Sequence, residues 1–333
     1  MDVLSALRGW QAIVATLVLL GSARPATSDT INYTYDEAGR LVRVTYGSGK
    51  TIFYTYDKAG SLLRRLVTTV QAGPAPAVPA AGVVNAASFL GGPVAPGELV
   101  TLFGTGIGPS TLVGLSLTRS GFVDAFLADT VVYFDDVPAP LIYASSGQTS
   151  VIVPYTVAGR STTQMVVEFQ GRRSSPVTLP VAPGAPALFS FNASGKGGGA
   201  ILNQDSSINT PSNPAEKGSI VVLFGTGEGQ TDPPGVDGKL AASVFPKPVL
   251  PVAVRIGGLT AEVLYAGAAP GLVAGVFQVS LHQIPEQLEG LGTQFHLPAL
   301  LEEAATNHPT AFDGSFKRFS WFLHDFRRPA VFY

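Results

Sequence analysis

One ten-residue stretch occurs twice in this chain and sets the terms for any fold. Leu99-Val-Thr-Leu-Phe-Gly-Thr-Gly-Ile-Gly108 returns as Ile220-Val-Val-Leu-Phe-Gly-Thr-Gly-Glu-Gly229, Phe224 standing 121 positions after Phe103. A repeat of this length and spacing marks duplicated structural units, because each copy rebuilds the same local structure. The first five residues of each copy form an apolar run too short for a buried helix and rich in strand formers, so they read as a buried strand. The glycines Gly104, Gly106 and Gly108, with Gly225, Gly227 and Gly229, are expected to stop the strand and turn the chain, since glycine adopts positive φ at little cost. A dinucleotide loop needs G-x-G-x-x-G opening a helix. Pro109-Ser-Thr and Gln230-Thr-Asp-Pro-Pro follow here, so the glycines are structural turns.

The duplication extends further. Val132-Tyr-Phe-Asp-Asp-Val-Pro-Ala-Pro-Leu-Ile-Tyr143 corresponds to Val254-Arg-Ile-Gly-Gly-Leu-Thr-Ala-Glu-Val-Leu-Tyr265, now 122 residues apart. Each half reads as strand, two-residue turn, strand, with Asp135-Asp136 or Gly257-Gly258 at the turn. Thr149-Ser-Val-Ile-Val-Pro154 and Val276-Phe-Gln-Val-Ser-Leu281 supply the next strand. Copy one then closes with Thr163-Gln-Met-Val-Val-Glu-Phe169, a turn at Gly171, and Ser175-Pro-Val-Thr-Leu-Pro180. Short strands at regular spacing between Gly/Pro turns predict an all-β protein with two tandem immunoglobulin-like sandwiches, over residues 83–182 and 198–288. Residues 83 to 281 resemble IPT/TIG immunoglobulin-like modules, and more closely the Solibacter-type C-terminal domain of secreted acidobacterial proteins. The residues carrying the match include Val84-Asn-Ala-Ala-Ser88, Ala95-Pro-Gly97, Phe103-Gly-Thr-Gly106, Val137-Pro-Ala-Pro140, Val153-Pro154 and Ala182-Pro-Gly184. Leu202-Asn-Gln-Asp205, Phe224-Gly-Thr-Gly227 and Tyr265-Ala-Gly-Ala-Ala-Pro-Gly-Leu272 continue it. That resemblance implies a fold and an extracellular location. It implies no reaction.

The N-terminal part differs. Residues 1–23 read as a secretory signal: Arg8 with the α-amine, an apolar stretch from Trp10 to Leu20, then small Gly21-Ser-Ala23. That stretch is shorter than the roughly 20 residues a membrane span needs. Residues 31–70 hold a second repeat of period 21. Tyr33-Thr-Tyr-Asp-Glu-Ala-Gly-Arg-Leu-Val42 returns as Tyr54-Thr-Tyr-Asp-Lys-Ala-Gly-Ser-Leu-Leu63. The Y-D-x-x-G-x-L pattern resembles the YD repeats of RHS-type surface proteins. Tyr33, Tyr35, Tyr54 and Tyr56 alternate along strands, and Asp36-x-x-Gly39 makes the turn. These tyrosines suit cross-strand packing and are the candidate sugar-stacking residues. Residues 71–82 read as an extended Pro/Ala linker.

Composition narrows function. Charged residues make up only 13 %, net charge is −2, and there is no Cys. Nothing here gathers nucleic acid, and thiolate catalysis and Cys-zinc sites are excluded. No cofactor, metal or catalytic residue is expected. Ser194-Gly-Lys-Gly-Gly-Gly199 lacks the Ser/Thr of a P-loop. Asn203, Asp205 and Asn209 lack the calcium-loop spacing. Asp135-Asp136 are the only adjacent acids on a hairpin, where a turn explains them. After Leu288 the pattern changes. Residues 289–333 are rich in Phe and hold His296, His308 and His324, at spacings that match no metal site. This atypical tail is expected to be irregular or to form short helices. It reads as the product of a frame slip, as a helical appendage, or as a membrane-surface or partner-binding segment. A frame slip, the preferred reading, would leave the second sandwich without its closing strands.

The functional expectation is a secreted or cell-surface, non-enzymatic protein whose tandem modules serve adhesion or presentation to an extracellular protein or polysaccharide. A carbohydrate-binding accessory role is the alternative, followed by an extracellular polymer hydrolase. Any membrane contact would come through an uncleaved signal segment.

Overall fold

A computed structural model describes residues 30–282, apart from 37, 48, 57–58, 70–73, 217 and 257–258. The signal segment, the Gly257-Gly258 turn and the atypical tail lie outside the described residues. The chain divides into two compact units, residues 1–71 and 72–333. Every pairing between named strands is antiparallel, and helix among the described residues is confined to two short 3-10 turns. The protein is all-β, as the strand patterns predict.

The first unit is a meander of β1 (Ile31–Tyr35), β2 (Leu41–Tyr46), β3 (Lys50–Tyr56) and β4 (Leu62–Thr69), in that spatial order. The 21-residue repeat has a structural cause. Asp36 accepts hydrogen bonds from the Ala38 and Arg40 amides at 3.0 and 2.8 Å, and Gly39 takes φ +74°. This is the turn chemistry that Asp and Gly supply. Both units of the repeat break register at the same place, Thr34/Tyr35 and Thr55/Tyr56.

The second unit contains both copies of the duplication. In the first module β5 (Val83–Asn85), β6 (Leu99–Phe103), β7 (Val113–Gly114), β10 (Leu141–Ala144) and β11 (Gln148–Ile152) form one sheet, ordered β5-β6-β11-β10-β7. The facing sheet holds β8 (Thr130–Phe134), β9 (Val137–Ala139), β12 (Thr162–Phe169), β13 (Arg172–Arg173) and β14 (Val177–Pro180). The segment read as one hairpin arm from Val137 to Tyr143 is therefore two strands, and the chain changes sheets at Pro140, which has no amide to donate. Asp135 and Asp136 both take positive φ, +47° and +66°, as a two-residue hairpin turn of the mirror-image type requires. Leu102, Phe134, Leu141, Val151, Met165 and Val167 close the core between the sheets.

The second module comprises β15 (Ala187–Leu188), β16 (Ile201–Leu202), β17 (Ile220–Thr226), β18 (Thr231–Asp232), β19 (Lys247–Pro248), β20 (Val254–Ile256), β21 (Leu259–Ala261), β22 (Val263–Ala268) and β23 (Phe277–His282). Its main sheet repeats the first module residue for residue. Phe103 lies opposite Gln148, and Phe224 opposite Gln278. Val83 pairs with Leu102, and Ile201 with Leu223. The β10–β11 ladder slips between Leu141 and Tyr143, and the β22–β23 ladder slips between Val263 and Tyr265. The opposing layer is smaller, because β20 pairs only with β21 among the described residues.

Two sequence expectations need correction. Residues 74–82 are not a free linker. Ala77 exchanges backbone hydrogen bonds with Thr105 at 3.0 and 2.9 Å, and Val78 is buried in the core. Ala187 pairs with Thr226 in the same way, so each module starts with an Ala-Pro-Ala lead-in. The glycines also act differently from one another. β17 runs through Gly225 to Thr226 rather than stopping. Gly104 and Gly225 keep ordinary φ and are required for close approach, since a Cβ on either would collide with the carbonyl oxygen of Ala77 or Ala187. Only Gly106, Gly227 and Gly229 take positive φ, and Gly108 lies against the Ser145 backbone.

The cores of the two modules are not separate either. Leu99, Ile142, Tyr143 and Ile152 of the first module pack with Phe224, Val273 and Val276 of the second in one apolar cluster. Burying side chains of this size contributes about 1.5–3 kcal/mol each.

Candidate functional site

The four tyrosines do not form one uniform row. Tyr33 lies opposite Val44, Val44 opposite Ile52, and Ile52 alternates with Tyr54 on β3, so Tyr33 and Tyr54 share a face. Tyr33 and Tyr35 are 56 % and 58 % exposed, while Tyr54 and Tyr56 are half-buried. Tyr56 is committed to structure. Its hydroxyl donates to the Leu41 carbonyl at 2.8 Å, and the Arg40 guanidinium sits 5.2 Å from its ring centre. Arg40 is held in turn by Asp36 at 2.7 Å, and hydrogen bonds from Arg40 and Ala38 keep the Asp36 carboxyl below the usual carboxylate range. The aromatic surface open to a ligand is thus the edge strand β1, with Tyr33 and Tyr35.

Other motifs have structural explanations. Asp135 accepts from Thr163 Oγ1 at 2.7 Å, the Gln164 amide at 2.9 Å and Arg160 at 3.1 Å. It anchors β12 to the β8–β9 turn. Asp136 points outward, 88 % exposed. In the Gly-Lys-Gly loop the Ser194 and Gly195 amides donate to Ser190 Oγ at 2.9 and 2.8 Å, so they are not free to cradle a phosphate. Asn203 Oδ1 accepts from Asn209 at 2.8 Å, and Asp205 caps the Ser207 amide at 2.9 Å. No group of three or more His, Asp or Glu side chains able to hold a metal occurs among the described residues.

The sequence reading missed the polar seam between the modules. Thr226 Oγ1 accepts from the Leu99 amide at 2.8 Å and donates to the Gly275 carbonyl at 2.7 Å, linking the modules through one buried hydroxyl. The Tyr155 amide donates to Asp237 at 2.9 Å, and Gln230 donates to the Tyr155 carbonyl at 3.0 Å. Glu98 is only 1 % exposed; its two oxygens accept from Asn85 and the Ala95 amide at 2.8 and 2.7 Å. Glu228 is buried nearby. Both carboxyls are pushed up to about 8, Glu98 by burial and Glu228 by burial first and then by the Glu98 charge. Asp237 is raised by burial. Tyr155 is raised too, first by burial and then by the charges of Glu228 and Asp237. Glu98 and Glu228 are buried, whereas Asp237 is half-buried. The signal was present in the repeat: Glu228 occupies the position that Ile107, fully buried, holds in copy one. An acid at a core position of one copy marks an environment that copy lacks in the other.

Compared with known families, residues 35–73 match the RHS Repeat family. The match begins at Tyr35, the last residue of β1, and spans β2, β3 and β4. No curated protein matches the chain.

Proposed function

We propose that this is an exported, non-enzymatic protein of the cell surface or extracellular space, in which tandem immunoglobulin-like modules support adhesion or presentation. The observation carrying this reading is the RHS Repeat match at residues 35–73, which spans β2 to β4 of a four-stranded sheet whose edge strand β1 presents Tyr33 and Tyr35. The secretory pattern at residues 1–23 and the resemblance of residues 83–281 to modules of secreted proteins support the same location. The engaged carboxylate of Asp135 supports a non-enzymatic role.

The two exposed tyrosines offer flat, rigid contact surface at small entropic cost, and polysaccharide is the partner class proposed for them. A pull-down of the full chain on insoluble polysaccharides tests this. Retention is expected, and Tyr33→Ala/Tyr35→Ala should weaken it about tenfold or more, equivalent to about 1.4 kcal/mol. Retention unchanged by the double substitution would remove the tyrosine site. Turnover of polysaccharide or ester substrates that disappears with Asp135→Asn would overturn the non-enzymatic reading.

A further inference from the structure

The meander of the first unit has β1 and β4 as its outer strands. An outer strand presents a row of unpaired amides and carbonyls on which another strand can build, and charges, prolines or bulges along it normally prevent this. β4 carries such a charge in exposed Arg65. β1 carries none. Ile31-Asn-Tyr-Thr-Tyr35 has no charged residue and no proline, and all five residues are exposed. The register break between β1 and β2 falls on the β2 side, where Val42 is the extra residue, so β1 itself runs regular to its end. Among the described residues, the backbone of residues 31–35 makes no hydrogen bond outside the β1–β2 ladder.

The sequence of β1 is complementary to itself in one register. A two-fold axis perpendicular to the sheet keeps each residue on the same face in both copies. Of the antiparallel registers with that symmetry, the one centred on Tyr33 pairs all five residues. Tyr33 then lies opposite Tyr33 of the second copy, Ile31 opposite Tyr35, and Asn32 opposite Thr34. Ile31, Tyr33 and Tyr35 share one face, and Asn32 and Thr34 the other. Apolar and aromatic side chains meet each other, polar side chains meet each other, and no like charges are opposed. Cross-strand pairs of these kinds stabilise a sheet. A foreign strand would have to supply this pattern, whereas a second copy of the chain already has it.

We propose that two copies of this chain pair antiparallel through β1, in one eight-stranded sheet with a two-fold axis at Tyr33. Such a contact uses the same patch on both subunits. It sets Tyr33 of both copies at the centre of one face, about 4.5–5.5 Å apart at Cα, with a Tyr35 at each end. Each copy thus contributes two rings to one aromatic platform. The pairing is independent of the polysaccharide reading, and the use of the platform rests on that reading. A five-residue ladder is a small contact, at the weak end of specific interfaces, so the dimer forms and dissociates with protein concentration.

Sedimentation velocity of the full chain over a concentration series, with no polysaccharide present, tests the pairing. The mass is expected to rise from one chain to two. Asn32→Glu/Thr34→Glu opposes like charges at both polar pairs and should leave a monomer at every concentration. Asn32→Lys/Thr34→Glu opposes unlike charges at the same pairs and should restore the dimer. Within one chain, position 34 faces Arg43 and position 32 faces Thr45, so the two variants differ only beside a neutral residue and both should fold. The chain has no native cysteine, which allows a second readout. Tyr33→Cys should form an interchain disulfide on oxidation, because opposed Cα atoms lie within disulfide reach. Asn32→Cys should not, because its own counterpart lies on the diagonal, about 7–8 Å away. A monomer at every concentration for the parent chain would overturn the proposal. So would a dimer unaffected by the two glutamates, a monomeric lysine/glutamate variant, or equal cross-linking at positions 32 and 33. The outcome does not depend on retention by polysaccharide, so either reading can fail without the other.

Discussion

Gly275→Ala should destabilise the two-module unit by about 3–5 kcal/mol. Gly275 sits at φ +103°, where an L side chain is strained by about 1–3 kcal/mol. An added Cβ would also fall inside the Gly97 carbonyl oxygen, a backbone atom that cannot rotate away. The two turns that hold Gly97 and Gly275 would have to part. Parting them breaks the bridge in which Thr226 links the Leu99 amide to the Gly275 carbonyl. A buried group left without its partner costs about 1–3 kcal/mol more. For a domain of this size each kcal/mol lowers Tm by about 2–4 °C, so thermal denaturation should register a fall on the order of 10 °C. Gly271→Ala is the matched control. It has φ +77° and no atom within 4 Å of the added carbon, so it meets the conformational strain alone. Equal Tm values for the two variants would show that the close approach at the seam contributes nothing.

Stability should fall as pH rises from about 5 to 8. Glu98 and Glu228 have folded-state values near 8 against an ordinary value of 4.5. In that window the unfolded chain has released protons that the folded chain retains. The unfolded state binds fewer protons, and stability therefore declines with pH. Their contribution is fully present below about pH 4.5 and is lost as pH rises through 8. Each acid contributes a slope of up to about 1.4 kcal/mol per pH unit. Asp237, raised in the same direction, adds to the trend. Glu228→Ile installs the residue that copy one carries at this position. It should raise the urea midpoint at pH 8 and remove about half the slope, with little effect at pH 5. Urea unfolding at four pH values between 5 and 9 measures this. A flat or rising profile for the parent protein would contradict the buried, protonated state of these carboxyls.

The strands and turns were legible because their signals are local. Asp36-x-x-Gly39 and Asp135-Asp136 occupy the turns their chemistry suits. The strand register could be matched across the copies because the same pairings recur in both, with the spacing changing only in the loops between strands. The rest was encoded at a distance. Thr226 and Leu99 meet across 127 residues, and no periodicity within either segment announces a partner so far away. The lead-in strand was misread for a compositional reason. Ala-Pro-Ala-Val is indistinguishable from a linker by content, and only its recurrence as Ala185-Pro-Ala-Leu188 marks it as part of a module. Glu228 gives no local signal of its own, because its glycine neighbours dominate the pattern. Comparison with Ile107 would have exposed it. Among the tyrosines, alternation predicted the strands but not which rings would be consumed: Tyr56 is held by Leu41 and Arg40, whereas Tyr33 and Tyr35 on the edge strand are exposed.

The central claim is that the duplicated strands β6 and β17 found two modules joined by a shared buried seam, so that the modules unfold together. Hydrogen exchange of the full chain across a urea series, read on peptides containing β6 and β17, tests it most directly. The account predicts that the most protected amides of both strands exchange with the same opening free energy and the same urea dependence. Full exchange of β17 at urea concentrations where β6 remains protected would show two independent folding units and contradict the account.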